Sequence, residues 1–184
     1  MIIPEHLQIE TINGVCTARC TMCAFKSWTR KPYIMTQDEF KTILTKFAPY
    51  RSTLKYLSLF GFSEPLLDPG LKDKIRFAKF MAFRSVGIAT NCTELVAWKS
   101  RELLDAGLDT IICSVDGFTK ETHESIRVGT NFEKVVDNIL GFISIRRHYG
   151  AKVIIRFVRQ QANQHEWGKF YDFWWERIDP SYGD

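Results

Sequence analysis

The sequence predicts an α/β fold in which short parallel strands alternate with helices packed outside the sheet. Three observations predict it. Short runs rich in Ile, Val, Leu, Phe and Thr recur near 7–13, 55–60, 85–90, 110–115 and 151–158, with the length and composition of buried strands. Longer helix-like runs with start and stop signals lie between them. The two alternate every 25–40 residues or so, and no linker or low-complexity segment interrupts them, so the chain reads as one domain over 1–184. Strands joined through helices run parallel, and right-handed crossovers form either a barrel or an open sheet. In both, functional residues gather at the C-terminal ends of the strands.

The helices are justified in chain order. After the first strand, Thr36-x-x-Glu39 is a capping box, with Met35 and Phe40 placed as a hydrophobic staple. Asp68-Pro69 reads as an N-cap followed by a first-turn proline. Thr130-x-x-Glu133 and Asn163-x-x-Glu166 repeat the capping pattern, and Gly107 and Gly150 fit left-handed C-terminal positions. Trp167, Phe170, Tyr171 and Trp174 fall at helical spacing, a stripe that reads as core packing.

Composition narrows the function classes. Apolar residues make up 45% of the 184 and charged residues 25%, which excludes disorder. No run approaches the roughly 18 apolar residues of a membrane span. The start, Met1-Ile2-Ile3-Pro4-Glu5, lacks a basic and apolar leader. A net charge of +4 without a basic run does not point to nucleic acid. The odd cysteine count, five, argues against a disulfide framework and for a cytoplasmic setting.

Three of those cysteines follow the first strand directly, in Gly14-Val15-Cys16-Thr17-Ala18-Arg19-Cys20-Thr21-Met22-Cys23. Thiolates converging from one tight loop suit an iron–sulfur cluster. Another metal, or thiols without metal, would also fit the spacing. A structural zinc site wants four closed ligands, and only three lie nearby; Cys92 or Cys113 would have to supply the fourth in a zinc-stabilised interaction domain.

The C-x-x-x-C-x-x-C loop resembles the signature of the radical S-adenosylmethionine (SAM) superfamily. That resemblance implies a 4Fe–4S cluster held by Cys16, Cys20 and Cys23. SAM would chelate the fourth iron, and reductive cleavage of SAM to a 5′-deoxyadenosyl radical would abstract hydrogen from a peptide or small-molecule substrate. It also implies an external electron donor such as flavodoxin or ferredoxin. Met22 matches the position that packs near the adenine. Phe60-Gly61-Phe62-Ser63-Glu64-Pro65 is similar to the family's Gly-Gly-Glu-Pro segment, which holds the SAM amino group; Ser63 stands for the second glycine. Asn91 ends the third strand in a Thr-Asn-Gly-like turn, with Cys92 for the glycine, where a small buried residue is expected.

Ser114 and Asp116 end the fourth strand on what strand alternation makes one face, and the resemblance implies contact with SAM ribose or carboxylate. Arg127 reads equally as a loop anchor or a border of the substrate site. Arg156 lies inside an apolar strand and demands a counter-charge. Glu10 could supply it; the resemblance implies the SAM carboxylate instead.

The resemblance spans roughly 7–176 and is closest to the branch that often carries a SPASM domain, whose cysteines are absent here. It implies a partial TIM-type (β/α) barrel of six strand–helix units, of which five are present. The core then reads as incomplete at its C-terminal end, with an open edge that a partner or second copy could cover. A non-catalytic iron–sulfur module is the rival reading.

Overall fold

The computed structural model describes residues 4–184; residues 1–3, part of the stretch read for a leader, lie outside them. The elements in order are β1 (His6–Gln8), β2 (Ile12–Asn13), β3 (Tyr33–Ile34), α1 (Gln37–Phe47), β4 (Tyr56–Ser58), α2 (Leu71–Phe80), β5 (Val86–Thr90), α3 (Ala97–Asp105), β6 (Thr110–Ser114), α4 (Lys120–Ile126), α5 (Phe132–Arg146), β7 (Lys152–Arg156) and α6 (Trp167–Trp175). Five strands form one parallel sheet in the order β1-β4-β5-β6-β7. The result is an α/β partial barrel of five units, open between β7 and β1.

Alternation divides the sheet. Leu57, Val86, Ile88, Ile111, Cys113 and Val153 are buried in one core with Phe40 and Leu44 of α1, Ile75 of α2, Leu103 of α3, Phe142 of α5 and Phe170 of α6. Each large side chain so buried stabilises by about 1.5–3 kcal/mol before entropy is counted. The opposite face, with Ala89, Ser114 and Arg156, opens into the barrel interior.

The expected first strand, 7–13, is split. Parallel pairing reaches Ile9, whose N–H donates to Ser58 O at 2.8 Å. Glu10 then turns to other partners, and Ile12–Asn13 pairs antiparallel with Tyr33–Ile34. The Thr36–Glu39 capping box is present with both reciprocal bonds. Asp68 does not cap α2: its carboxylate takes Gly70 N–H and a buried ion pair with Lys74 at 2.9 Å, and the helix starts at Leu71. Asn131, not Thr130, caps α5, by accepting from Lys134 N–H. Asn163 precedes a short 3-10 turn and makes no side-chain cap.

Gly107, at φ 95°, closes α3, with its N–H on Leu104 O and that of Leu108 on Leu103 O, the Schellman arrangement. Gly150 also lies at positive φ. In the aromatic stripe Phe170 and Trp174 are core, but Tyr171 is 45% exposed and stacks on the exposed Trp175. No described helix is long and apolar enough to cross a membrane.

Candidate functional site

The cysteine loop is held from two sides. Its Arg19 and Thr21 N–H groups donate to Val128 O and Ile126 O at 2.7 and 2.8 Å, and Val15 O accepts from Glu64 N–H at 3.0 Å. Loop, β4 exit and α4 exit therefore form one unit, though they lie far apart in sequence. Each of the three loop sulfurs meets an N–H. Ala18 N–H and Asn91 Nδ2 approach Cys16 Sγ at 3.4 and 3.7 Å. Phe25 N–H approaches Cys23 Sγ at 3.4 Å, and an Arg127 amino group approaches Cys20 Sγ at 3.7 Å. Burial pushes the Cys16 thiol up against the pull of the Ala18 N–H, and the Cys20 thiol up against the Arg127 cation. Loading a metal there must therefore expel protons.

The three cysteines open onto a cavity of about 520 Å³, lined also by Met22, Gly61, Ser63, Glu64, Asn91, Ser114 and Arg156. At Gly61 a Cβ would meet the Glu10 side chain and displace its carboxylate, which accepts from Phe62 N–H at 2.8 Å and pairs with Arg30 at 2.5 Å. Ser63 Oγ is buried with no hydrogen-bond partner among the described residues. Glu64 is 2% exposed; its carboxylate takes Leu66 N–H, Thr90 Oγ1–H and Asn91 N–H. Burial pushes its pKa up and those bonds pull it down. Arg156 donates to Ser114 Oγ at 2.8 Å, its cross-strand neighbour. Burial, then the Arg127 cation, lowers its pKa. No carboxylate forms an ion pair with it among the described residues, and Glu10, once a candidate, belongs to Arg30.

Pro65 and Asp116 do not line the cavity. β6 ends at Ser114, so alternation does not carry Asp116 to the same face. It is fully buried instead, with Oδ2 on Arg127 Nε–H and Oδ1 on Val158 N–H, each at 2.7 Å. Arg127 lines the cavity, and its Nε–H is anchored on the Asp116 carboxylate. Cys92 is buried in the apolar core with Cys113 and does not itself line the cavity onto which Cys16, Cys20 and Cys23 open. Sequence reasoning missed the part of Glu10 in clamping the Gly61 turn, since both its partners are non-local.

Among the described residues, no three His, Cys, Asp or Glu side chains are gathered as they would be round a single ion. The thiols instead ring a shared cavity, an arrangement for a body several atoms across. The donor set fits an iron–sulfur cluster, and the orphan Ser63 hydroxyl and Arg156 fit a polar ligand beside it.

Comparison with known proteins bears on this arrangement. The family model described as the radical SAM superfamily matches residues 11–155. A GTP 3′,8-cyclase of Limosilactobacillus fermentum is 32% identical over 139 residues, 73% of this chain and 40% of the relative. A probable GTP 3′,8-cyclase of Saccharolobus islandicus is 28% identical over 170 residues, covering 91% and 52%. Streptococcus suis SuiB bound to S-adenosylmethionine superposes with a TM-score of 0.75 at 16% identity, over 96% of this chain and 39% of that one. The chain thus spans about half or less of the length of these proteins.

Proposed function

The chain belongs to the radical SAM superfamily, whose cofactors are a 4Fe–4S cluster and SAM, and on that premise we propose that it is the catalytic core of an enzyme that cleaves SAM reductively to abstract hydrogen from a substrate. The observation that carries the reading is the convergence of Cys16, Cys20 and Cys23 on the cavity that also holds Ser63, Asn91, Ser114 and Arg156. Cys16, Cys20 and Cys23 would hold the cluster. When bound, the pair supplies one-electron cleavage of SAM and a 5′-deoxyadenosyl radical.

The chain's own residues bind and orient. Arg156, held by Ser114, offers a charge-assisted bond to a carboxylate. The Ser63 hydroxyl, buried without a partner among the described residues, and the Gly61 turn line the cavity and would hold an ammonium. Glu64 acts chiefly as a brace: three donors occupy its carboxylate, and they tie the β4 exit to the β5 exit. Met22 supplies an apolar edge for a base. Pro65 shapes the turn and Asp116 acts through Arg127, so neither is proposed to touch SAM.

The substrate is a peptide or small molecule. SuiB has been solved with its precursor peptide SuiA, and GTP 3′,8-cyclase names its own nucleotide. An external reductant of the flavodoxin or ferredoxin type would deliver the electron. All five cysteines are free, in keeping with a reducing, cytoplasmic setting. Further chain, a partner or a second copy would cover the open β7 edge.

The test is anaerobic reconstitution with iron and sulfide, reduction, addition of SAM and assay of 5′-deoxyadenosine, against a Cys16/Cys20/Cys23→Ala variant. Product from the wild type alone is expected. A cluster with no product would favour the second reading, a non-catalytic iron–sulfur module, which the chain's 40% and 52% coverage of the two cyclases keeps in view.

A further inference from the structure

We propose that Arg127 sets the reduction potential of the cluster from its Cys20 corner, holding it higher than the same site would have without a cation there; the inference rests on the cluster reading above. The side chain is 7% exposed. Its Nε–H donates to Asp116 Oδ2 at 2.7 Å while an amino group points at Cys20 Sγ, 3.7 Å away. Asp116 is itself fixed by Val158 N–H, so the guanidinium is aimed from a rigid mount. The other donors to the ligand sulfurs among the described residues are neutral: two backbone N–H groups and the Asn91 amide.

Reduction adds negative charge to a cluster. A buried positive charge and an N–H···S bond both favour the reduced form, and hydrogen bonds to the sulfurs are among the determinants of iron–sulfur potentials. The Asp116 carboxylate opposes this but stands behind the cation. Arg127 accordingly acts on Cys20 more strongly than Asp116 does. Arg127 would then be a positioning residue that makes the uphill electron delivery from an external donor less steep.

A purely structural role is the competing account. The segment has anchors of its own, however, in the carbonyls of Ile126 and Val128 and in Thr130, whose N–H and hydroxyl bond to Arg127 O. Removing the guanidinium leaves these in place.

The experiment is a redox titration of the reconstituted protein, followed by the paramagnetic signal of the reduced cluster, with iron and sulfide counted. Arg127→Gln is expected to shift the midpoint to more negative potential. Asp116→Asn, which leaves the cation unbalanced and keeps an acceptor for Val158, is expected to shift it the opposite way. Opposite shifts at full iron content support the proposal; a purely structural role predicts none of that sign pattern. Unmoved midpoints, or shifts of the same sign, overturn it. Should Arg127→Gln fail to take up iron, Asp116→Asn decides alone: an upward shift supports, and no shift or a downward one overturns. Failure of the wild type to hold any cluster would instead sink the cluster reading, and this inference with it.

Discussion

His123 sits fully buried between the β6 exit and α5, its Nδ1 accepting from Asp116 N–H at 3.3 Å and its ring against Phe132. Burial, reinforced by the Arg127 cation, lowers its pKa from 6.5 to about 4. Between those values the unfolded chain takes up a proton that the folded chain refuses. The contribution is therefore full above pH 6.5 and is lost as pH falls toward 4, by about 3 kcal/mol in all. Urea unfolding at pH 7 and pH 4.5 should show a clearly smaller loss in His123→Asn, whose Oδ1 can replace Nδ1 as acceptor; equal losses would remove His123 as the cause. At Cys92 the backbone is left-handed, φ 62°, where the family places glycine. Such strain costs about 1 kcal/mol or more, offset by burial of the thiol in the apolar core. Burial at Cys92 was legible in the sequence because it stands in the strand-end turn where a small residue is called for. The role of Arg127 was only half legible, because its anchor and its target come from different parts of the chain.

Among the elements, α1 is the one whose start is written most completely in local sequence. Thr36 Oγ1 accepts from Glu39 N–H at 3.2 Å, Glu39 Oε2 accepts from Thr36 N–H at 2.8 Å, and Tyr33 of β3 donates to the same carboxylate. Thr36→Ala should cost about 1 kcal/mol, read as a lower urea midpoint with an unchanged slope; no change would mean that packing of Phe40 and Leu44 alone fixes the start. The strand–helix rhythm was legible for the same reason, since period and caps are short-range signals. The β2–β3 ribbon was not, because Ile12–Asn13 looks like continued strand until Glu10 is taken by Phe62 and Arg30. The short helix α4 also escaped, and Asp68 misled because its carboxylate takes Gly70 N–H and Lys74 Nζ rather than a first-turn N–H of α2.

At the scale of the molecule, the sheet has a free side at β7, and the tail is fastened across its beginning. Asp184 accepts from Val153 N–H at 2.8 Å and pairs with Arg146, both side chains being essentially inaccessible. Asp184→Ala leaves a buried guanidinium without its counter-charge, a loss of about 3–5 kcal/mol. In a chain of this size that lowers the thermal midpoint by about 6–20 °C; a drop below about 2 °C would show that Arg146 finds water or Ala151 O instead. The five-unit barrel and its open side were readable by counting units, whereas this tail contact was not, having no periodic signature. The docking of the cysteine loop on the α4 exit has a consequence for biosynthesis. Cys20 and the arginine that faces it are 107 residues apart, so at ~5–20 residues per second the thiols leave the ribosome some 5–20 s before their cradle can exist. Iron and sulfide delivered during that interval would meet only a nascent peptide, so maturation of the centre belongs after synthesis of α4 and the turn beyond it that carries Arg127 and Val128.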